Sequence, residues 1–171
     1  MNPATAEGHK LKELLPSHPS LSDHERHDVA NQLQATLVDL IDLSLVGKQL
    51  HWNVTGGHFR SLHLMLDELI DGWRLHSDTI AERISALGLC ADGRAATVAA
   101  DSEIQTIHDG PVKDSEVISA LTERLGVAIA KLNERRERVG EIDPTSEDLL
   151  IAVAQTLEEN QKLLDLYCTG C

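Results

Sequence analysis

Histidine and carboxylate side chains recur at helical spacing between residues 51 and 82. His51 precedes a pair of glycines, and His63 and Asp67 follow them, one helical turn apart. Asp78 and Glu82 form a second pair with the same spacing. Imidazole nitrogens and carboxylate oxygens bind divalent transition metals. Because either pair alone is too small to hold an ion, these residues predict a metal site that combines the two.

Four stretches with apolar residues at helical spacing must position these side chains. The connection between the second and third stretches is longer than most loops, so we expect a short helix within it. No stretch has the alternation of a β-strand. Four long helices with one long crossover predict an all-α, ferritin-like four-helix bundle whose crossover carries a short helix. The four helices are expected at residues 22–52, 59–88, 114–140 and 144–167.

Residues with capping preferences mark the ends of these helices. Ser22 and Glu25 have the pattern of a capping box, and Asp114 is expected to cap the third helix. Pro144 suits the first turn of the fourth helix. We expect residues 1–21 to form a flexible tail, with a short helical turn around the sequence HKLKELL. The bundle would then comprise residues 22–168, with residues 169–171 as a C-terminal tail.

The composition agrees with a helical, cation-binding protein. Apolar residues make up 42% of the chain and aromatic residues only 2%, which favours helices over sheets. The formal charge is −13, so the mean field attracts cations rather than nucleic acid. No apolar run predicts a membrane span, and no secretory signal is recognisable. With only three cysteines, the expected compartment is the cytoplasm.

The geometry of the second helix restricts where a metal site can be. No histidine has a glutamate three residues before it, so a Glu-x-x-His site inside the bundle is not expected. At about 100° per residue, the two ligand pairs fall within an arc of about 100° on one face of the helix. His63 and Glu82 are nevertheless about 28 Å apart along the axis, so one chain cannot close the site.

A two-fold axis near Gly72 and Trp73 could close it. If the second helix meets its copy antiparallel there, the first ligand pair of one chain faces the second pair of the other, and two identical sites form. Gly72 would let the backbones approach closely, and His51 would lean over the His63 end. An alternative remains, because acidic residues on a helix are often only a solvated face. The chain would then be a bundle with structural histidines.

The stretch LHWNVTGGHFRSLHLMLDEL, followed by HSDTIAERISALG, closely resembles the signature of the Dps family, the DNA-binding proteins from starved cells, also called miniferritins. The resemblance is dense from about Lys48 to Gly88. It implies a four-helix subunit that assembles into a hollow dodecamer and oxidises Fe(II) between two-fold-related subunits. The family's ligand positions fall on His51, His63 and Asp67 of one chain and on Asp78 and Glu82 of the other.

The resemblance also implies the chemistry. Mixed imidazole and carboxylate ligands suit Fe(II), and carboxylates hold the harder Fe(III) product. Two irons can pass two electrons together to hydrogen peroxide without releasing hydroxyl radical. The expected function is a ferroxidase and iron-storage protein that prefers hydrogen peroxide, keeps ferric mineral in its cavity and protects the cell from oxidative damage. Zn²⁺ or Mn²⁺ could occupy the same ligands.

Two neighbouring features have two interpretations each. Trp52 could trap stray radicals beside the site, or its ring could pack the end of the first helix, which we favour. The family has an acidic three-fold pore for iron near the start of the fourth helix, where Asp143 and Asp148 are candidates. Acidic residues there also stabilise a helix N-terminus without any pore.

DNA binding is not expected at neutral pH. Family members that bind DNA generally use tails rich in lysine or arginine. Here Lys10 and Lys12 are balanced by Glu7 and Glu13, and the C-terminal LYCTGC has no basic residue. Protonated tail histidines would weaken the repulsion in mild acid. The alternative function is a DNA-protecting structural assembly with weak or silent metal sites.

Three other residues are less informative. Cys168 and Cys171 could form a redox pair or bind a soft metal, and we interpret them as incidental thiols. His76 points away from the ligand arc, so we expect it to be a surface or packing residue.

Overall fold

The computed structural model describes residues 11–168 and consists almost entirely of helices. The four long helices begin and end within two residues of the expected positions, and the crossover carries a short helix. These features confirm the predicted bundle. None of the described helices is long and apolar enough to cross a bilayer. The helices are α1 (Asp23–Asn53), α2 (Phe59–Ala86), α3 (Ala95–Asp101), α4 (Asp114–Gly140) and α5 (Pro144–Cys168).

The predicted capping box at the start of α1 is confirmed, whereas the predicted cap of α4 is wrong. Ser22 Oγ accepts a hydrogen bond from Glu25 N, and Ser22 N donates to Glu25 Oε2 at 2.8 Å. At α4 the N-cap is Lys113, and Asp114 is the first helical residue. The Asp114 carboxylate accepts hydrogen bonds from the N-terminus of α2, whose backbone N–H groups have no partner within that helix.

Helices α1 and α2 approach closely at Gly47. A Cβ there would lie 2.8 Å from Ile70 Cγ1 and 3.0 Å from Trp73 Cζ3, and both side chains are fully buried. Burial of each large apolar side chain contributes about 1.5–3 kcal/mol, so this contact anchors the pair of helices. A Cβ at Gly72 would meet no atom within 4 Å. Gly72 therefore leaves open space on α2 outside the core of the subunit.

Polar contacts link α2 to α5. These contacts succeed one another in antiparallel order, so they fix the register of the two helices. His76 Nε2 donates to the hydroxyl oxygen of Thr156, because the hydrogen of that hydroxyl is already donated to Ala152 O. Of the two roles expected for His76, surface or packing, the structure shows a half-buried ring packed against α5, and burial lowers the pKa of that ring. The pairs are Trp73 with Asn160, His76 with Thr156, and Arg83 with Ser146, each at 2.9 Å.

The crossover between α2 and α4 is held against the bundle at both ends. Near its start, the Gln34 side-chain amide exchanges two hydrogen bonds with the backbone of Asp92, at 2.7 and 2.9 Å. At its end, β2 (Val112–Lys113) pairs in parallel with β1 (Val54–Thr55). No strand was expected, because two residues are too few to show an alternating pattern. The pairing brings the end of the crossover beside the turn between α1 and α2.

The described part of the N-terminal segment packs on the body of the protein. Leu11 is buried, and the backbone N–H groups of Leu14 and Leu15 donate to Gly88 O at 2.8 and 3.0 Å. The fully buried Arg26 also reaches Leu15 O and the Glu13 carboxylate. The expected helical turn is therefore absent from Leu11 onward. The packed body begins before the predicted boundary at residue 22.

Candidate metal centre

Two of the predicted ligands, His51 and His63, face each other across the turn between α1 and α2. Their rings are stacked, with centroids 3.6 Å apart and planes inclined by 21°. His51 Nδ1 lies 2.9 Å from His63 O, and His63 Nδ1 lies 3.0 Å from His51 O. Each residue thus uses its ring to hold the backbone of the other. The two helix ends are tied together by the side chains proposed to bind metal.

These contacts determine which ring nitrogen carries the hydrogen. A backbone carbonyl can only accept, so both Nδ1 atoms must be the donors. In the neutral rings, Nε2 therefore keeps its lone pair for a metal ion. A carbonyl that accepts from the second ring nitrogen is the usual way in which proteins orient a metal-binding histidine. The two histidines are held in the form that binds metal.

Asp67, the third predicted ligand from this end, is paired with Lys48. Lys48 Nζ donates to Asp67 Oδ1, and His51 Nδ1 lies 3.4 Å from the same oxygen. The hydrogen-bonded ammonium of Lys48 and the nearby imidazoles hold the pKa of Asp67 below its ordinary value. The carboxylate is therefore ionised at neutral pH. It already has a cationic partner that a metal ion would have to displace.

Lys48 is a site residue that the sequence reasoning missed. It lies three residues before His51, one helical turn earlier on the same side of α1. That spacing was a usable signal. The contact itself also depends on how closely α1 and α2 pack, which the sequence does not give.

Asp78 and Glu82 do not join the other ligands within one chain. Both are exposed side chains of α2. Among residues 11–168, no group of three or more histidine, cysteine, aspartate or glutamate side chains converges as a metal site. A subunit thus carries two separated ligand pairs on one helix, as the sequence geometry requires.

The aromatic residues near the site have different environments. Trp52 is 69% exposed, so its ring does not pack the end of α1 within the subunit, contrary to the interpretation that we favoured. Phe59 contacts His63, with ring centroids 5.2 Å apart. Trp73 is fully buried beneath the proposed crossing point. Trp52 is therefore a large apolar surface beside His51.

The two pore candidates are also placed differently. Asp143 is buried and accepts hydrogen bonds from Arg83 Nη2, at 2.7 Å, and from the Ser146 hydroxyl. Burial alone would raise the pKa of Asp143, but the donors Ser146 and Arg83 outweigh it and lower that pKa. Its charge is neutralised inside the subunit, which makes it unsuitable for a pore lining. Asp148 is exposed.

The C-terminal cysteine pair cannot be placed relative to this site. Cys168 is the last residue of α5, and its side chain, like Cys171, lies outside the described residues. Cys90, in the crossover, is a free thiol of intermediate exposure.

Comparison with known proteins identifies the family. The model of the ferritin-like domain matches residues 30–170. The DNA protection during starvation protein of Agrobacterium fabrum is 32% identical over 93% of this chain and 95% of its own length. DNA protection during starvation protein 2 of Deinococcus radiodurans is 33% identical over 84% of this chain. That match spans only 59% of the Deinococcus protein.

The fold agrees with a solved structure of the same family. Dps of Mycobacterium smegmatis superposes with a TM-score of 0.85 at 32% sequence identity, covering 88% of this chain and 92% of that chain. The domain match includes the segment that carries both ligand pairs. The chain therefore belongs to the Dps family of ferritin-like proteins.

Proposed function

We propose that this protein is a ferroxidase and iron-storage miniferritin. It would oxidise Fe(II) at sites between two-fold-related subunits, preferably with hydrogen peroxide, and retain the ferric product inside a dodecameric shell. The observation that carries this proposal is the pre-formed half-site. His51 and His63 present Nε2 lone pairs next to the ionised carboxylate of Asp67. Asp78 and Glu82 of a second subunit would complete the ligand set.

The surface of α2 supports a second subunit as the source of these ligands. Leu64 and Leu75 are 48% and 68% exposed, and both lie within about 20° of the ligand arc. Exposed leucines among carboxylates suit a surface that becomes buried against a copy of itself. Gly72 lies midway along α2 between the two ligand pairs, and a Cβ there would meet no atom within 4 Å. An antiparallel α2–α2 contact would bury the leucines and bring the two ligand pairs together.

The ligand types support two-electron iron chemistry. Two Fe(II) ions together give two electrons to one hydrogen peroxide, which takes up two protons and leaves as two water molecules. Carboxylate oxygens suit the Fe(III) product better than imidazole does. The net charge of −13 would raise the local concentration of Fe(II). The exposed Asp148 stays as the proposed acidic residue on the entry path, whereas the buried Asp143 does not.

Relatives of this chain are named for DNA protection during starvation. We propose that this protein would protect DNA by consuming Fe(II) and peroxide rather than by binding the duplex. The acidic charge of the chain supports this route, since the phosphate backbone binds cationic surfaces. A DNA-protecting assembly with silent metal sites is the competing function.

Stopped-flow absorbance of the anaerobic protein tests this proposal. The protein is loaded with about two Fe(II) per site and mixed with hydrogen peroxide or with oxygen. We expect a fast ferric signal with peroxide that is lost in Asp78→Ala and kept in Glu123→Ala. The control removes one exposed carboxylate from α4 instead of α2. A wild-type rate equal to that of protein-free buffer would remove the ferroxidase proposal and favour the competing function.

A mixture of two inactive variants tests whether each site uses two chains. His63→Ala and Asp78→Ala subunits are dissociated and reassembled together. Half of the random dimers are mixed, and each mixed dimer has one intact site. We therefore expect recovery of about a quarter of the wild-type rate. A mixture that stays inactive would show that the ligands of one site come from a single chain.

A further inference from the structure

The turn between α1 and α2 is held from outside by the end of the crossover. Asp114 Oδ2 accepts hydrogen bonds from His58 N, at 3.0 Å, and from His58 Nδ1, at 3.1 Å. His58 immediately precedes α2. The second oxygen of Asp114 accepts from Ser115 N at 3.0 Å, so the carboxylate itself is fixed at the start of α4. These contacts fix where α2 begins.

The backbone of the turn is shaped to receive this carboxylate. Gly56 has a φ of +121°, a conformation that residues with a side chain rarely adopt. A Cβ at Gly56 would lie 2.6 Å from Asp114 Cγ. Only glycine therefore satisfies both the backbone conformation and the space. The two residues before Gly56, Val54 and Thr55, pair with Val112 and Lys113, which places Asp114 beside the turn.

The same turn separates two of the proposed metal ligands. His51 lies just before it, His63 lies just after it, and the two rings hold each other's backbone carbonyl. This ring-to-carbonyl pair is the inner connection across the turn, and the contact between Asp114 and His58 is the outer one. A small movement of the start of α2 would separate the stacked rings and change the direction of both Nε2 lone pairs.

We propose that Asp114 is a positioning residue of the metal centre, which fixes the first turn of α2 through His58 and thereby sets the relative orientation of His51 and His63. The proposal rests on the function proposed above, because it assumes that these histidines bind metal. Asp114 is not itself one of the proposed ligands. It acts through the backbone, from a segment far along the chain from the ligands.

Anaerobic titration with Co(II) tests this assignment, since the visible ligand-field spectrum of bound Co(II) reports the arrangement of its ligands. In Asp114→Ala we expect the Kd for Co(II) to rise about tenfold or more, which is the usual effect of removing a group that orients a ligand. The spectrum should also change. Asp114→Asn keeps an oxygen that can accept from His58, so its spectrum should return to that of the wild type. A Kd and spectrum unchanged in Asp114→Ala would overturn the proposal.

A second variant and a control separate positioning from a general loss of stability. Gly56→Ala keeps the carboxylate but places a methyl group against it, so we expect the same spectral change as in Asp114→Ala. Asp42→Ala is the control, because Asp42 also binds the crossover, through Ser102 Oγ at 2.6 Å. It should lower the melting temperature without altering the Co(II) spectrum. An Asp42→Ala spectrum altered like that of Asp114→Ala would reduce Asp114 to a general structural role and overturn the assignment.

The wild type and His63→Ala show whether the underlying function holds. A wild-type Co(II) spectrum that is lost in His63→Ala supports metal binding at the proposed ligands, whatever Asp114 does. If the wild type gave no such spectrum, the metal site itself would be wrong, and the assignment of Asp114 would fall with it.

Discussion

Among single residues, Lys48 would directly influence how readily the proposed half-site takes up a metal ion. Its ammonium occupies one oxygen of Asp67, so an incoming Fe(II) competes with a cation that is already part of the chain. The same contact keeps Asp67 ionised, which spares the metal from displacing a proton. Lys48 thus weakens the competition of protons with the metal ion for Asp67, but its own ammonium competes with the metal ion for the same carboxylate. Near neutral pH only the competition from the Lys48 ammonium matters, because an aspartate is ionised there with or without Lys48.

Replacement of Lys48 should therefore tighten metal binding. In Lys48→Ala we expect the Kd for Zn²⁺ near neutral pH to fall a few-fold, a modest change because the ion pair is partly exposed to solvent. The gain should shrink in acid. Without Lys48 the pKa of Asp67 is higher than in the wild type, so protons compete better with the metal ion for the carboxylate. Isothermal titration at several pH values measures both effects. Lys131→Ala, which breaks a similar pair with Glu103, is the control. Weaker binding in Lys48→Ala would contradict this account.

The proposed ligands are easier to recognise in the sequence than the residues that support them. Four of the proposed ligands lie on one helix, so helix geometry alone relates them. These are His63, Asp67, Asp78 and Glu82. Lys48 and Asp114 act across different elements, and their contacts depend on how those elements pack. The exposure of Trp52 also could not be predicted, because a tryptophan at a helix end is equally compatible with a buried or an open position.

At the scale of secondary-structure elements, α2 is the helix on which the site depends. One side of it packs on α1 through Ile70 and Trp73, and another is linked to α5 by polar contacts. Near its C-terminal end, Arg83 binds Ser146 and Asp143. Arg83 follows the proposed ligand Glu82 directly, so this contact sets the position of the second ligand pair. Both ends of α2 are fixed by carboxylates from other elements.

Loss of the Asp143 carboxylate should destabilise the subunit in a pH-dependent way. The pKa of Asp143 is lower in the folded chain than its ordinary value of 3.8, so the contribution to stability is present above about 3.8 and is lost as the pH falls through the folded pKa. For Asp143→Ala we expect the free energy of unfolding to drop by about 1–3 kcal/mol near neutral pH. The difference from the wild type should narrow in strong acid.

Denaturant unfolding near neutral pH and in strong acid, at matched protein concentration, measures this difference. Asp148→Ala removes an exposed carboxylate near the start of α5, five residues after Asp143, and should change stability by less than about 0.5 kcal/mol. Equal destabilisation by the two substitutions would contradict the role assigned to the buried carboxylate.

The elements themselves were largely predictable because they are long. Apolar spacing, the capping box at Ser22 and Pro144 gave the four helices to within two residues. The pairing of Val54 with Val112 and the packing of Leu11 had no such signal. Both join short segments that are distant in the chain, and neither leaves a periodic pattern in the sequence.

For the whole molecule, charge and assembly determine which partners the protein can have. A formal charge of −13 per chain would be multiplied in an oligomer, and duplex DNA would meet a repulsive surface. Exposed leucines on α2, Leu64 and Leu75, support the proposed two-fold dimer. The dodecamer in the proposed function rests on the resemblance to the family alone, because no helical spacing within a chain encodes the number of subunits.

Gel retardation with a linear duplex tests the prediction for DNA. At neutral pH and about 0.15 M salt, where surface charges are screened beyond about 8 Å, we expect no retention. A variant with Ala4, Ala6 and Glu7 replaced by lysine is the positive control. Its added tail cations should retard the duplex, and the retardation should fall as salt increases. Retention of the duplex by the wild-type protein at neutral pH would favour the structural, DNA-protecting alternative.

A newly synthesised subunit carries its two ligand pairs at opposite ends of a rigid helix, with His63 and Glu82 about 28 Å apart along the axis. Under the proposed mechanism, folding alone would not start iron oxidation, because no folded monomer holds a complete site. Activity would begin when two subunits meet, and at low concentrations it would rise with the square of the subunit concentration. The timing of iron chemistry in the cell would then be set by the pairing of subunits, so that unpaired subunits stay inert.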